Sequence, residues 1–197
     1  MRTFTSRAFA ILWLFALAAS TISCAPTLLD RVNAMVEAHN SHDVDKELYY
    51  YTDDARFQTV GKWTKDGKEQ IRQLLEKDAL LNSHLTYTFC RESADTVTCR
   101  VREENDMLRA AGIDAIYYDS AVHTFDGLYL TEIRVKQSPE SEQALEEASA
   151  SFNRWASQKY GEALAQLSGS GGNISKENVA QWLALMRRWY QETGQQE

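Results

Sequence analysis

The run Ile116–Val135, IYYDSAVHTFDGLYLTEIRV, constrains this chain more than any other stretch. Two β-rich segments flank Asp126-Gly127. An Asp-Gly pair between alternating runs signals a hairpin, because both turn positions need positive φ. With those two residues as the turn, Phe125 faces Leu128, His123 faces Leu130 and Asp119 faces Arg134. One face then carries Tyr118, Val122, Tyr129, Thr131, Ile133 and Val135. The other carries Asp119, Ala121, His123, Glu132 and Arg134. The first set is the more apolar, so Tyr118, Val122, Tyr129, Ile133 and Val135 are expected to point into a core. Asp119, His123, Glu132 and Arg134 are expected outside, where charge costs little or pairs across a dimer.

A chain of 197 residues with 44% hydrophobic content can bury one ordinary core around such a hairpin. Its net charge of −7 argues against non-specific nucleic-acid binding, which draws on many Lys and Arg. No nucleic-acid partner is expected.

The first residues read as an export signal and not as part of the fold. Arg2 and Arg7 form a basic start, and Ala8–Ala19 is an apolar stretch too short to span a bilayer comfortably. Ser20–Cys24 follows. It resembles a bacterial lipobox, whose Cys becomes the lipid-bearing first residue of the mature protein. Cys24 is therefore the expected lipidation site. The expected location is the bacterial cell envelope, held to the membrane by the lipid, with plain secretion the alternative. Loss of residues 1–23 removes Arg2 and Arg7 and no acid, which takes the net charge from −7 to −9.

The two remaining cysteines lie in LTYTFCRESADTVTCRV, a second hairpin. If Ala94-Asp95 is its turn, Cys90 stands opposite Cys99, and an exported chain can oxidise the pair to a disulfide. Two free thiols on a sheet are the alternative.

In chain order, Thr27–Asp30 reads as a capping box before a helix with Leu28, Leu29, Val32, Met35 and Val36 at helical spacing. Asp43 caps a short second helix. Thr52–Asp54 reads as a turn, Ala55–Val60 as a strand, and 61–65 as a loop holding Trp63. Asp66–Glu69 reads as another capping box, opening a helix with Ile71, Leu74, Leu75, Ala79 and Leu80 inward. The cysteine hairpin, a short helix at 105–112 and the Asp-Gly hairpin follow. Ser138-Pro139 then opens a long helix to Leu167, Ser168–Gly172 breaks it, and Ser175 caps a last helix over Lys176–Glu192. Helices before and after a meandering antiparallel sheet make the class α+β.

This succession carries a family likeness. A helix, Asn40–Asp43, a helix, Tyr51–Phe57, Gly67–Ile71 and two hairpins, the second with Asp126-Gly127, resemble the nuclear transport factor 2-like, or SnoaL-like, superfamily over about Leu28–Val135. The resemblance implies a curved sheet wrapped around the N-terminal helices as a cone with a ligand pocket, and often a dimer through the outer sheet face. It divides the chain into a signal peptide at 1–23, a domain at 24–136 and a C-terminal helical extension at 137–197. The implied partner is a small apolar ligand or a protein, with no cofactor. Met35, His39, Tyr50, Phe57, Trp63, Tyr118 and Tyr129 are the expected pocket residues.

Catalytic residues of the superfamily do not carry over. The ketosteroid isomerase acid, tyrosine and second acid fall here near Thr59, Met35 and, to within a bulge, Ala121. His84, His123, Tyr50 and Asp119 supply the residue types of a scytalone dehydratase-like site without a motif to join them. Asp119 opposite Arg134 is a fragment of the Asp-Arg-Asp relay of limonene epoxide hydrolase-like sites. His123 with Asp119 remains the one candidate acid–base pair, on the alternative that the chain is an isomerase, dehydratase or hydrolase. An exposed or dimer-facing polar pair beside Arg134 is the commoner role for such residues. His39 and His42 read as helix-end residues and not as metal ligands. The expected function is thus a binding module, with an enzyme as the alternative.

Overall fold

The computed structural model describes residues 25–168 and 174–194, and Cys24 and the leader lie outside the described residues. Helix α1 (Leu28–Asn40) opens with the expected capping box, in which Thr27 and Asp30 exchange side-chain and backbone hydrogen bonds. Asp43 caps α2 (Val44–Leu48) through the Lys46 amide. Strand β1 (Tyr51–Thr59) comes next, so Thr52–Asp54 continue a strand where a turn was expected. The irregularity they signal is a register shift between Tyr51 and Arg56. The expected loop around Trp63 is a short strand, β2 (Trp63–Asp66), that folds back on β1. Helix α3 (Lys68–Leu80) starts at Gly67, whose φ is +80°, and has no side-chain cap. Asp66, the expected cap, instead pairs with Arg56 at 2.7 Å.

Strands β3 (His84–Ser93) and β4 (Thr96–Glu104) form the cysteine hairpin, with Ala94 and Asp95 as its turn. A bulge sets Phe89 and Cys90 against the single residue Cys99. The bulge turns Phe89 out to 77% exposure and brings Cys90 onto the core side, where it is disulfide-bonded to Cys99. A short helix, α4 (Asp106–Ala110), is capped by Asn105 and stopped at Gly112, whose φ is +74°.

Strands β5 (Ile116–Asp126) and β6 (Tyr129–Gln137) make the second hairpin, with a register that differs from the expected one. Gly127 and Leu128 form the turn, so Asp126 faces Tyr129 and Phe125 faces Leu130. Bulges at Asp119 and Thr131 then shift the pairing, and His123 faces Ile133 and Val122 faces Arg134. Each bulge changes which residues share a face. Tyr118 and Ala121 come to lie on one side, joined by His123 and Phe125. Ile133 and Val135 are buried as expected, but Val122 is only half-buried and Tyr129 is 43% exposed. His123, expected outside, is 0% exposed.

The sheet order is β2-β1-β6-β5-β4-β3, with β1 and β6 parallel and every other neighbour antiparallel. Its curved inner face meets α1, α2 and α3 over a core that includes Val32, Met35, Ile71, Leu75, Val97, Ala121, Leu130 and Ile133. Beyond the sheet, α5 (Pro139–Ser168) breaks helical geometry at Tyr160, and α6 (Val179–Thr193) begins three residues later than its expected start. These two helices enclose Phe152, Trp155, Ala156 and Trp189 in a second core. Leu183 of α6 joins Leu81 and Ala110 in a third. Of the tryptophans on these two helices, Trp155 and Trp189 are buried in the chain's own packing.

Candidate functional site

A cavity of about 300 Å³ lies between the inner sheet face and the helices. That is the lower end of the range for small-molecule pockets. Its wall is mostly apolar. Phe57 and Trp63 stack at 5.7 Å on one side, and Met35, Leu75, Val101, Ile133 and Val135 line the interior. Leu145 of α5 and Ile174, just before α6, also reach it, so the C-terminal segment contributes to the wall.

Three carboxyl groups and one imidazole among the described residues converge on this apolar space: Glu47, Asp78, Glu103 and His39. His39 falls on the core face of α1 with Val32 and Met35, and its Nδ1 lies 3.1 Å from Glu47 Oε2. Both residues are buried. Burial opposes the charge on His39, but the Glu47 hydrogen bond and the acids Glu47, Asp78 and Glu103 outweigh it and raise its pKa. Glu103 ends the inward series Val97, Cys99, Val101 on β4. It accepts hydrogen bonds from the Tyr118 hydroxyl at 2.8 Å and from Asn105 Nδ2 at 2.8 Å.

Asp78 is different in kind. It continues the apolar stripe Ile71, Leu74, Leu75 of α3 by one turn, and none of the described side chains hydrogen-bonds its carboxyl group. Burial, followed by the charge of Glu103, pushes it up to about 7, against a smaller opposing pull from His39 and Lys77. It is thus poised to hold or release a proton near neutrality.

The tyrosines divide by partner. Tyr118 is committed to Glu103. Tyr87 meets His123 Nε2 at 3.2 Å, while His123 Nδ1 lies 3.3 Å from the Val97 carbonyl. Since a carbonyl only accepts, Nδ1 carries the proton and Nε2 accepts from the Tyr87 hydroxyl. Tyr51 is buried with its hydroxyl unpartnered, as are Ser83 Oγ and His39 Nε2, and all three residues line the cavity. Burial above all pushes the Tyr51 pKa up, with Glu47 adding to it.

Of the seven expected pocket residues, Met35, His39, Phe57, Trp63 and Tyr118 lie on the cavity wall. Tyr50 and Tyr129 do not. They gather with Tyr49 around the Arg31 guanidinium, at 4.8 and 5.7 Å, away from the cavity. His123 and Asp119 are not brought together as an acid–base pair. Asp119 sits exposed at its bulge, beside Phe89 and Arg91, and His123 is sealed inside the sheet's inner face. His39 and His42 part as well, since His42 turns to the Ser83 carbonyl at 3.2 Å. Among the described residues, no group of three or more His, Cys, Asp or Glu is placed to hold a metal ion. The residues missed in the sequence are Asp78, Glu103, Glu47, Tyr51 and Tyr87. Two had a signal there: Asp78 on an apolar helix stripe, and Glu103 in phase with an apolar strand face.

An α+β cone with helices inside a six-stranded curved sheet now stands beside known structures. The protein of unknown function from Cytophaga hutchinsonii, described as NTF2-like, is 14% identical with a TM-score of 0.50. The match covers 60% of this chain and 96% of that one. This chain has the NTF2-like fold. An LEH-like epoxide hydrolase of M. tuberculosis matches at 14% identity and a TM-score of 0.51, over 64% of this chain and 93% of that one. SalBIII, an epoxide hydrolase/cyclase-like enzyme of salinomycin pyran ring formation, matches at 16% identity and 0.52, over 58% and 92%. At these identities the NTF2-like likeness is one of fold. No protein-family model matches the sequence, and no curated protein matches it either.

Proposed function

We propose that this is an exported binding protein whose NTF2-like cone, residues 24–136, takes up a small, largely apolar molecule. The observation that carries the reading is the cavity of about 300 Å³, apolar over most of its wall and supplied with a few inward polar groups. Export is supported by the basic and apolar leader and by the Cys90–Cys99 disulfide, which suits an oxidising compartment. A lipid on Cys24 would leave only Ala25, Pro26 and Thr27 before α1, so the domain would sit against the bilayer. The extension at 137–197 is proposed to help close the cone through Leu145 and Ile174. The test is titration with the neutral fluorophore N-phenyl-1-naphthylamine. Enhanced emission that is lost when Leu74→Trp fills the cavity supports the reading, and emission unchanged by that variant rejects it.

A second reading is favoured by Asp78. A carboxyl with no hydrogen-bond partner among the described side chains, held at about 7 on the wall of an apolar pocket, has the protonation behaviour of a general acid or base. In that reading Asp78 moves a proton on the bound molecule, and the Tyr118–Glu103 pair orients it. Asp78→Asn would then abolish turnover of any substrate found while leaving its binding in place. Loss of binding and turnover together would point to a binding role alone.

A further inference from the structure

We propose that the ligand of the cone carries a protonated amine on its apolar body. The inference rests on the cone being a binding site, and it names the chemistry of the group that the site selects.

The polar part of the cavity is unbalanced in charge. Three carboxyl groups face it: Glu47 from α2, Asp78 from α3 and Glu103 from β4. One buried base opposes them, His39 from α1, and it is held by Glu47 alone at 3.1 Å. Lys77, the one other cation on the wall among the described residues, is solvent-exposed. No arginine reaches the cavity among the described residues. Tyr51 from β1, Tyr87 from β3 and Tyr118 from β5 add hydroxyl groups and no charge at neutral pH.

Protons answer this excess of negative charge in the empty cone. Asp78 and His39 both hold their protons more tightly than usual, and mutual repulsion with Glu103 contributes at Asp78. A bound cation does the same work. It neutralises Asp78 directly and lets the proton go, at a site where an apolar wall strengthens the attraction.

Independent of the acids, three buried polar atoms on the cavity wall lack partners. They are the Tyr51 hydroxyl, Ser83 Oγ and His39 Nε2, on residues 2%, 1% and 6% exposed. An alkylammonium brings N–H donors to the Tyr51 and Ser83 oxygens, and to His39 Nε2 once its charge has displaced the His39 proton and left Nδ1–H on Glu47. A carboxylate ligand would add repulsion, and a pure hydrocarbon would leave these atoms orphaned. The stacked Phe57 and Trp63 rings suit the ligand's apolar body.

The test compares three probes of one shape by calorimetry on the full chain: cyclohexylmethylamine, cyclohexylmethanol and cyclohexanecarboxylate. The amine is expected to bind about ten-fold tighter than the alcohol near pH 8, and the carboxylate weakest. Amine affinity should fall several-fold near pH 6, where Asp78 keeps its proton, and binding should release protons to the buffer. Asp78→Asn, with its fold checked by circular dichroism, should cost the amine about ten-fold and leave the alcohol unchanged. Equal binding of amine and alcohol overturns the inference while the cone remains a binding site. An amine affinity indifferent to Asp78→Asn also overturns it. Binding of none of the three overturns it together with the reading on which it rests.

Discussion

The hydroxyl of Tyr87 on β3 lies 3.2 Å from Nε2 of His123, two strands away on β5. Between them β4 offers the Val97 carbonyl to the other imidazole nitrogen at 3.3 Å. The ring therefore ties three strands from the inside of the sheet. His123→Ala should leave a cavity and an unpaired tyrosine hydroxyl, at a cost of about 3 kcal/mol. Urea unfolding checks this, and a loss within error of zero would show that the contact contributes nothing.

His123 and Asp78 also predict opposite pH dependences. Burial lowers the His123 pKa from 6.5 to about 4. The unfolded chain then binds a proton that the native one refuses, so stability is lost as pH falls through this window. Asp78 is raised from 3.8 to about 7, so the native chain holds a proton that the unfolded one releases, and stability is lost as pH rises through that window. His39, raised above 6.5, acts in the same direction as Asp78 at the upper end. The His123 and Asp78 effects should partly cancel in the native protein, with the His123 effect the larger. In Asp78→Asn, stability should rise by about 3 kcal/mol between roughly pH 4 and 6.5. In His123→Gln it should fall by about 1–2 kcal/mol between roughly pH 4 and 7, a figure reduced for the partial exposure of Asp78. Unfolding free energies measured across this range would refute the pairing if both variants sloped the same way.

The Cys90–Cys99 bond spans a sequence separation of 9 residues. In the chain-entropy picture so short a loop yields about 3 kcal/mol or less. Replacing both cysteines by serine should lower the melting temperature without unfolding the domain, since the core around Val97, Val101 and Ala121 is retained. Intact mass without reductant should show the oxidised form in exported protein. Two free thiols there would count against the bond.

Gly112 ends α4 at φ +74°, and a Cβ built there would stand 2.1 Å from Cε2 of Tyr190 on α6. Gly112→Ala must therefore strain the backbone and displace the ring that packs on it. The expected loss is about 1–2 kcal/mol. Hydrogen exchange should locate it in α6 before the sheet. A uniform effect over the whole chain would show that α6 is not separately anchored.

Ile133 is 2% exposed at the centre of the cone floor. Ile133→Asp should abolish folding, because it buries a charge with no cation beside it; the expected cost exceeds about 4 kcal/mol. A folded variant by circular dichroism would mean that the cavity admits enough solvent to hydrate the new carboxylate.

Local patterns in the chain were enough to determine its class, most of its elements and one covalent link. The Thr27–Asp30 capping box, the Ala94-Asp95 turn, the apolar stripe of α3 and the Cys90–Cys99 pairing each depend on residues close in sequence or on one hairpin register. Other local signals misled where two structures compete for the same residues. Asp66 resembles a helix cap but is held by Arg56, and Trp63 lies in a strand only because β1 is there to pair with it. Tertiary structure alone decided the faces of the long hairpin. A strand alternates with period two, so the bulges at Asp119 and Thr131 moved His123 from the expected outer face to the inner one. No periodicity announces a bulge whose cause is the curvature of the whole sheet. The site was hidden for the same reason. Asp78, Glu103, Glu47 and His39 come from α3, β4, α2 and α1, and their meeting is a property of how those elements pack. Each looks ordinary in its own segment, and the excess charge that marks them as a candidate site exists only once the cone has closed around them.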